Sequence, residues 1–438
     1  MFRPTRRTFL KAAAAAAAAP TVVPASVLGK ETPSNTLRVG SIGTGRMGHG
    51  DMRNALYQGL DESAPARLVA VCDLDLDRAR HAKADAEKRY KERDIEATLD
   101  VYQDFRKLLA RKDIDAVTIS TPDHQHALCA VAAADAGKHM YLQKPFTYSV
   151  VEGRKLADAV RRNTVVLQTG SQQRSDIRFR KACELVRNGY LGKIHTVEVV
   201  NPTDGGRGDP TPMPVPKNLN YDMWLGPTPE APYTEDRVHP PEGFGRPGWL
   251  QIETYSRGMI TGWGAHMYDI AQWGLGVDRD GGPVRVSATA KFPDRGLFDV
   301  HVQYQAEAEY ASGVKLISHS GAAGVKFVGD RGWLWVARGN WKADPEDILR
   351  TKLDDDDVRL YESKHHMRNF LECCRTGKDP VAPAEVGHRS NTVCVLHHIA
   401  MKYQGKTLTW DPKTERFTGD STDANAMLDY PHRKPWTV

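Results

Sequence analysis

Three glycines follow an apolar segment near the N-terminus at a spacing that suits a bound dinucleotide. Residues 37–48 read LRVGSIGTGRMG, which places Gly43, Gly45 and Gly48 in the order Gly-x-Gly-x-x-Gly. The first glycine allows a tight turn, the second lets the backbone approach a pyrophosphate, and the third lets a helix pack against the strand. This pattern predicts a phosphate-binding loop for a nicotinamide dinucleotide.

An acidic residue follows the next predicted strand, as this binding mode requires. Asp73 comes directly after the apolar residues 68–72, where its carboxylate would accept hydrogen bonds from ribose hydroxyls and repel a 2′-phosphate. The position favours NAD over NADP, although Arg78, one helical turn farther on, leaves NADP open. The alternative is an ordinary glycine-rich turn in which Asp73 only caps the following helix.

Two further predicted strands end in polar residues. The segments 120–126 (STPDHQH) and 143–145 (QKP) follow these strands, and in open α/β sheets ligands collect at the carboxyl ends of strands. Lys144 stands out, because a positively charged nicotinamide ring nearby would disfavour its ammonium form. A lysine with a solvated head group is the ordinary alternative.

The elements that position these residues are indicated by an alternation of short β-branched segments and helical segments between residues 36 and 170. This alternation is typical of βαβ units, so we predict an NAD(P)-binding Rossmann domain with a doubly wound parallel sheet. The predicted strands are 37–42, 68–72, 116–120, 139–142 and 165–169.

A second domain is predicted over residues 171–410, followed by a C-terminal tail at 411–438. Residues 201–248 hold eleven of the 26 prolines, so this segment is predicted to be an irregular, ordered cover over a site. Alternating apolar residues between 285 and 337 predict antiparallel or mixed strands. Helices are predicted over 176–188, 259–273, 363–376 and 384–403.

The first 30 residues are typical of an export signal. Arg6-Arg7, the alanines at 12–19 and the small residues around 23–25 match the basic, apolar and cleavage regions of a twin-arginine signal peptide. The apolar part is too short to span a bilayer. An alanine-rich tail with incidental arginines is the alternative. Export by this route predicts a periplasmic protein.

Charge and cysteines exclude several kinds of partner. The formal charge of +5 includes four cations within residues 1–25, so the chain without them carries +1 and indicates neither nucleic acid nor membrane as a partner. The six cysteines form no disulfide framework and no Cys-x-x-Cys, so we predict buried free thiols and no metal site.

Taken in order, the motifs resemble the family of glucose-fructose oxidoreductase, inositol dehydrogenase and rhizopine-catabolism oxidoreductases, in an exported twin-arginine form. The similarity covers essentially everything after the signal, and the ordered set is far more specific than any single motif. The matching residues are Gln143-Lys144-Pro145 for the family's Glu-Lys-Pro, Thr121, Pro122 and His126 for its Thr-Pro-x-x-x-His element, and His266 within 259–269 for its helix ending in a catalytic His.

The resemblance implies that Lys144 and His266 are the catalytic pair, with His266 as the base and Lys144 as the orienting or proton-sharing partner. Two positions depart from the family pattern, because Gly262 stands where an Asp is usual and Gln143 where a Glu is usual. Asp269 follows His266 on the same helical face, where it could orient the imidazole or simply serve helix packing.

The predicted binding residues form two sets. For substrate, Arg174 could hold hydroxyls or a carboxylate and Tyr255 could stack on a sugar ring, with Asp269 beside them. Gln172, Gln173, Trp224, Tyr233 and Trp249 are further candidates. For the dinucleotide, the predicted residues are Gly43, Gly45, Arg46, Met47, Gly48, Asp73, Thr121, Pro122, His126, Gln143 and Lys144.

These predictions combine into a function. We expect an NAD(P)-dependent oxidoreductase that acts on a CH–OH group of a sugar or glycoside and keeps NAD tightly bound, because the periplasm has no replenished pool of free NAD. One alternative is an NAD-dependent glycosidase or lyase that works through transient oxidation at C3. The other is a non-catalytic sugar- or nucleotide-binding protein. The resemblance also implies a C-terminal α/β domain with an open mixed sheet, and a homo-oligomer, a dimer or a tetramer.

Overall fold

The computed structural model describes residues 36–240 and 242–438. Its first sheet contains six parallel strands: β1 (Leu37–Ile42), β2 (Ala66–Cys72), β3 (Asp100–Tyr102), β4 (Ala116–Ile119), β5 (His139–Leu142) and β6 (Leu167–Thr169). They lie in the order β3-β2-β1-β4-β5-β6, which is the order of the Rossmann fold. The order reverses between β1 and β4, so a ligand crevice is expected beyond the carboxyl ends of these two strands.

Five helices connect these strands: α1 (Arg46–Gln58), α2 (Leu76–Lys91), α3 (Phe105–Leu109), α4 (Asp123–Asp135) and α5 (Val150–Arg162). Local side chains fix where they begin. The Asp75 carboxylate accepts hydrogen bonds from the first backbone N–H groups of α2, and Ser149 forms a capping box with Glu152 at the start of α5.

The second sheet contains nine strands in the second half of the chain: β7 (Ile194–Asn201), β8 (Pro283–Lys291), β9 (Gln303–Tyr310), β10 (Lys315–Ser320), β11 (Gly324–Gly329), β12 (Gly332–Ala337), β13 (Asn340–Asp344), β14 (Thr407–Asp411) and β15 (Arg416–Phe417). Their order is β13-β12-β11-β7-β10-β9-β8-β14-β15. The pair β7–β10 is parallel and the other pairs are antiparallel, so the sheet is mixed as predicted.

Helices cover one face of this sheet. They include α6 (Ile177–Arg187), α9 (Gly264–Leu275) and α11 (Ala384–Lys402), and their apolar residues share one core with the strands. The opposite face is polar, because residues of β9 alternate between buried Ala306 and Ala308 and outward Glu307 and Glu309. The remaining helices of the second half are α7 (Tyr221–Leu225), α8 (Met259–Gly262) and α10 (His366–Thr376).

The helix predicted over 259–273 is two helices. α8 ends at Gly262 and α9 begins at Gly264, with Trp263 between them at φ −103° and ψ −32°. Glycine has a low helix propensity, so a glycine on each side of Trp263 accounts for the interruption. The break places His266 in the first turn of α9.

Residues 201–248, which we call the cover segment, are irregular except for α7, as the prolines predicted. Leu219, Trp224, Leu225, Tyr233 and Val238 bury their side chains in one small apolar cluster, whose other buried members are Ile252, Tyr255 and Phe298. The structure describes all of this segment except residue 241. Its own core explains how so proline-rich a segment is ordered.

The chain crosses between the two sheets after residue 170. Phe370 and Leu371 of α10 pack with Met52 and Leu56 of α1 in a core of the parallel sheet, and Trp436 lies in another. The predicted boundaries 36–170, 171–410 and 411–438 stay a prediction, and β15, the last strand of the second sheet, lies within the predicted tail. They do not tell which sheet each later helix covers, because that depends on tertiary packing.

All six cysteines are buried and unpaired with one another. Within the described ranges, no cluster of three or more His, Cys, Asp or Glu side chains has an arrangement that could hold a metal ion. In the same part of the chain, none of the helices combines the length and the apolar character needed to span a bilayer.

Candidate active site

A cavity of about 740 Å³ opens at the carboxyl ends of β1, β2, β4 and β5. Its other walls are the cover segment, the start of α9 and the turn between β12 and β13. The structure thus brings together residues from at least seven separate parts of the chain. The predicted residues that line it are Gly43, Gly45, Arg46, Met47, Asp73, Thr121, Pro122, Gln143, Lys144 and His266.

The glycine loop has the geometry of a phosphate cradle. Gly43 has φ +79°, and a Cβ there would lie 2.7 Å from the carbonyl oxygen of Ser120. A Cβ on Gly48 would lie 1.9 Å from the carbonyl oxygen of Gly43, so this glycine serves helix packing and does not line the cavity. Gly45, between them, lines the cavity, so backbone is exposed where a pyrophosphate would bind.

The ribose end of the crevice holds one acidic and one basic side chain, Asp73 and Arg78. Asp73 accepts hydrogen bonds from the backbone N–H of Thr44 at 2.7 Å and of Asp75 at 3.0 Å. Arg78 also lines the cavity, and its guanidinium donates to the carbonyl oxygens of Pro240 and Gly243 in the cover segment. Burial lowers the pKa of Arg78.

Lys144 lies just after β5, with its side chain half-buried in the cavity wall. Its Nζ donates a hydrogen bond of 2.9 Å to the carbonyl oxygen of Gly262. Burial lowers its pKa below the usual range of lysine, and the carboxyl of Asp123 partly opposes this effect. The backbone carbonyl of Gly262 therefore binds the Lys144 ammonium group at the position where the family pattern has an Asp side chain.

Two buried carboxyl groups near Lys144 were not among the predicted site residues. Burial raises the pKa of Asp123 to about 7, although the Ser256 hydroxyl donates a 2.7 Å hydrogen bond to it. Burial likewise raises the pKa of Asp51 to about 6, and the Gln143 amide donates to it at 2.9 Å. A sequence signal existed for each: Asp123 follows a strand end, and Asp51 lies one helical turn after Gly48.

His266 enters the cavity from α9. Its Nδ1 is buried and has no hydrogen-bond partner among the described residues. Burial, together with the charges of Lys144 and Arg338, keeps its pKa well below the ordinary value, so the imidazole is neutral. The Trp263 ring approaches it edge-on, with 6.0 Å between ring centroids.

His126 lies outside the cavity and contacts the two loops that follow β4 and β5. Its ring nitrogens lie 2.6 Å from the carbonyl oxygen of Pro145 and 3.0 Å from that of Thr121, and burial lowers its pKa to about 4. It does not line the cavity. Its predicted role in cofactor binding is thus limited to joining the two loops that follow β4 and β5.

The three predicted substrate-binding residues do not reach the cavity. Arg174 donates two hydrogen bonds of 2.8 Å to Asp269 and one of 2.9 Å to Asp278, and all three side chains are buried. Tyr255 is fully buried against the ring of Trp224. These positions do not fit direct contact with substrate. Arg174 and Asp269 neutralise each other inside the core, as buried charges must, so Asp269 is not available to orient His266.

Other candidates do line the cavity. Gln172 and Gln173, in a 3₁₀ helix after β6, line it together with Trp224 and Trp249, whereas Tyr233 does not. Three further lining residues, which no sequence motif indicates, are His239, Arg246 and Arg338.

Two family models together span nearly all of the described chain. Residues 37–171 match a model described as "Oxidoreductase family, NAD-binding Rossmann fold", and residues 179–438 match one described as "Oxidoreductase family, C-terminal alpha/beta domain". Residues 3–23 match the signal sequence of the twin-arginine translocation pathway.

Individual relatives agree with these matches. The chain is 30% identical over 179 residues to myo-inositol 2-dehydrogenase of Thermotoga maritima, which is 41% of this chain and about half, 47%, of that relative's length. It is 25% identical over 359 residues to scyllo-inositol 2-dehydrogenase (NAD(+)) of Bacillus subtilis, covering 79% of this chain and 88% of the relative. The solved structure of an aldose-aldose oxidoreductase from Caulobacter crescentus shares the fold, with a TM-score of 0.59, 19% identity and coverage of 85% of this chain and 99% of that one.

Proposed function

The chain belongs to the oxidoreductase family that includes glucose-fructose oxidoreductase and inositol dehydrogenase, and from that premise we propose that it oxidises a CH–OH group of a sugar or glycoside with NAD. The observation that carries this proposal is the position of Lys144 and His266, which line one cavity together with the glycine loop. A base, a cation and a dinucleotide cradle are what alcohol oxidation needs in one place.

The residues present fit a dinucleotide. The backbone at Gly43 and Gly45 leaves room for a pyrophosphate, and Asp73 would accept hydrogen bonds from the adenosine ribose. Arg78 lies beside Gly45, with its Nη1 3.0 Å from a Cβ placed there, so a 2′-phosphate is not excluded. When bound, the nicotinamide ring supplies the acceptor for the hydrogen that leaves the substrate carbon as hydride.

The side chains of this protein handle the proton. The neutral imidazole of His266 can accept the proton of the substrate hydroxyl, since one of its two ring nitrogens is unprotonated. The ammonium group of Lys144, oriented by the Gly262 carbonyl, can stabilise the developing alkoxide. The cavity wall around both groups excludes bulk water, which strengthens these interactions.

We propose that the cover segment retains the cofactor. Asn218 and His239 contact the carboxylate of Asp75 at 2.6 Å and 3.1 Å, which fastens the segment to the start of α2 at the ribose end of the crevice. Although burial opposes the effect, these hydrogen bonds lower the pKa of Asp75 to about 2, so the contact persists at physiological pH. A retained, recycled NAD suits a periplasmic enzyme exported already folded through the twin-arginine pathway.

We also propose a homo-oligomer, a dimer or a tetramer, that associates through the outer face of the nine-stranded sheet. No helix of the described chain covers this face, on which Ile317 is exposed among polar side chains. Light scattering of the purified protein gives the subunit count.

The proposed activity is tested with matched variants. We expect Lys144→Met and His266→Gln each to lower kcat/KM for a cognate sugar by about a hundredfold or more, because each removes a group that acts on the reacting hydroxyl. NAD binding, followed as thermal stabilisation, should persist, and the exposed Lys155→Met is the control. Near-normal turnover in both variants would refute the assignment. Release of p-nitrophenol from a glycoside without net NAD reduction would identify the glycosidase alternative instead.

A further inference from the structure

Arg338 stands at the tip of the turn between β12 and β13. Ala337 pairs with Asn340 in the register of the two strands, so Arg338 and Gly339 alone form the turn, with Gly339 at φ +76°. The turn reaches the cavity, where Arg338 lines the wall near His266. The hairpin register therefore fixes the place of this guanidinium group.

The charge of Arg338 has no anionic partner among the described residues. Its recorded contact is with the ring of Trp263, 4.7 Å from the guanidinium carbon. By contrast, Arg246 forms an ion pair with Asp204. Arg46 also has no recorded partner, but it follows Gly45 in the phosphate loop, where a pyrophosphate would neutralise it.

We propose that the substrate is an anionic sugar whose carboxylate or phosphoryl group binds Arg338. The inference rests on the proposed function, because it names the class of sugar that the same cavity accepts. A planar guanidinium with free N–H groups suits two oxygens of an anion, and such charge-assisted hydrogen bonds are stronger than those to a neutral hydroxyl.

The surroundings favour an anion at this end of the cavity. Lys144 and Arg338 both contribute positive charge, while nearby Asp123 is largely protonated below about pH 7 because burial raises its pKa. The charge of Arg338 also lowers the pKa of His266. An anionic group bound to Arg338 would offset that charge, so the same contact that selects the substrate would make His266 a better base.

Three hexoses that share one ring test the proposal: D-glucose, D-glucuronate and D-glucose 6-phosphate. Their binding to the NADH-loaded protein is measured by calorimetry, and their oxidation by the change in nicotinamide absorbance. We expect at least one anionic sugar to bind about tenfold or more tightly than glucose, and Arg338→Gln to abolish that preference. Arg338→Lys should restore part of it. The two anionic sugars distinguish a carboxylate from a phosphoryl ligand.

The exposed Arg416→Gln, on β15 outside the cavity, is the matched control and should bind like the wild type. Equal affinity of wild type for all three sugars, or an anion preference that survives Arg338→Gln, would overturn the inference. If none of the sugars changes the nicotinamide absorbance but anion binding still depends on Arg338, the proposed oxidation fails while the anion site stands. If glucose is oxidised and Arg338→Gln changes nothing, the proposed oxidation stands while the anion site fails.

Discussion

The proposed chemistry of the cavity depends on Lys144, whose ammonium group is held by a backbone carbonyl. Among the described residues no carboxylate forms an ion pair with Lys144, and its hydrogen bond goes to Gly262. Asp123, whose charge acts on Lys144 without a direct contact, has a pKa raised to about 7 by burial. Small changes of pH near neutrality therefore change the charge beside the ammonium group.

Replacing Asp123 with Asn should change how stability depends on pH. An unfolded aspartate loses its proton near the ordinary value of 3.8, whereas folded Asp123 keeps it up to about pH 7. Between these values the folded state binds more protons, so this group makes the wild type less stable as pH rises. We expect Asp123→Asn to gain up to a few kcal/mol relative to wild type between about pH 4 and pH 7.

Guanidinium unfolding of both proteins at several pH values measures this difference. Asp355→Asn, at an exposed position, is the control and should differ from wild type by a constant amount. A difference for Asp123→Asn that is equally constant across the pH range would contradict the raised pKa.

Residues within motifs could be predicted from the sequence, and residues placed by tertiary contacts could not. The glycines and Lys144 follow strand ends, so local spacing already places them at the crevice. Arg174 has the same kind of position but is used by a buried ion pair, because Asp269 and Asp278 come near it only in the folded chain. Arg338 depends on the register of a hairpin, which no motif indicates.

At the scale of elements, the cover segment acts as one wall of the crevice. Besides its side-chain contacts with Asp75, its backbone joins the first sheet: the carbonyl of Asn218 accepts from the N–H of Leu76, and the N–H of Asn220 donates to the carbonyl of Leu74. Side-chain substitutions leave these backbone hydrogen bonds in place. Only the side-chain hydrogen bonds to Asp75 can be removed by substitution.

The double variant Asn218→Ala/His239→Ala should release NADH faster than wild type. It removes both side-chain hydrogen bonds to the Asp75 carboxylate, which should raise the dissociation rate of NADH by about tenfold or more. Stopped-flow fluorescence of NADH displaced by excess NAD measures this rate. Thr211→Ala, whose side chain bonds only to Asp209 within the same segment, is the matched control. An unchanged rate would mean that the cover does not retain the cofactor.

The longer elements were predictable because their apolar residues recur with a clear period. The strands predicted at 37–42 and 139–142 coincide with β1 and β5, and 384–403 with α11 apart from its last residue. The sequence did not predict β3, β13, β14 and β15, since a strand of two to five residues at or near a sheet edge shows too few alternations. The helix break at Trp263 was missed because its flanking glycines also occur in continuous helices.

At the scale of the whole molecule, α10 links the two halves. Although it comes from the second half of the chain, its Phe370 is fully buried against the parallel sheet, with its ring 5.9 Å from that of Tyr141. The nucleotide-binding sheet therefore obtains part of its core from residues almost two hundred positions beyond its last strand.

Phe370→Ala should destabilise the protein by about 3–5 kcal/mol, the usual cost of removing a buried aromatic side chain. Guanidinium unfolding measures the loss, and the same protein should show weaker NAD binding because α1, which carries the end of the glycine loop, packs against α10. Val358→Ala, at an exposed position outside both sheets, is the control and should change stability little. A Phe370→Ala variant as stable as the control would show that α10 is dispensable for the first sheet.

The contribution of α10 also has a consequence for the order of events during synthesis. When β6 leaves the ribosome, Met52 and Leu56 still lack their contacts with Phe370 and Leu371, because residues 366–376 have yet to be translated. At ordinary elongation rates the nascent chain waits roughly 10–40 s for them. The parallel sheet therefore completes its core only after most of the polypeptide has been synthesised, although its own strands are among the first parts to be translated.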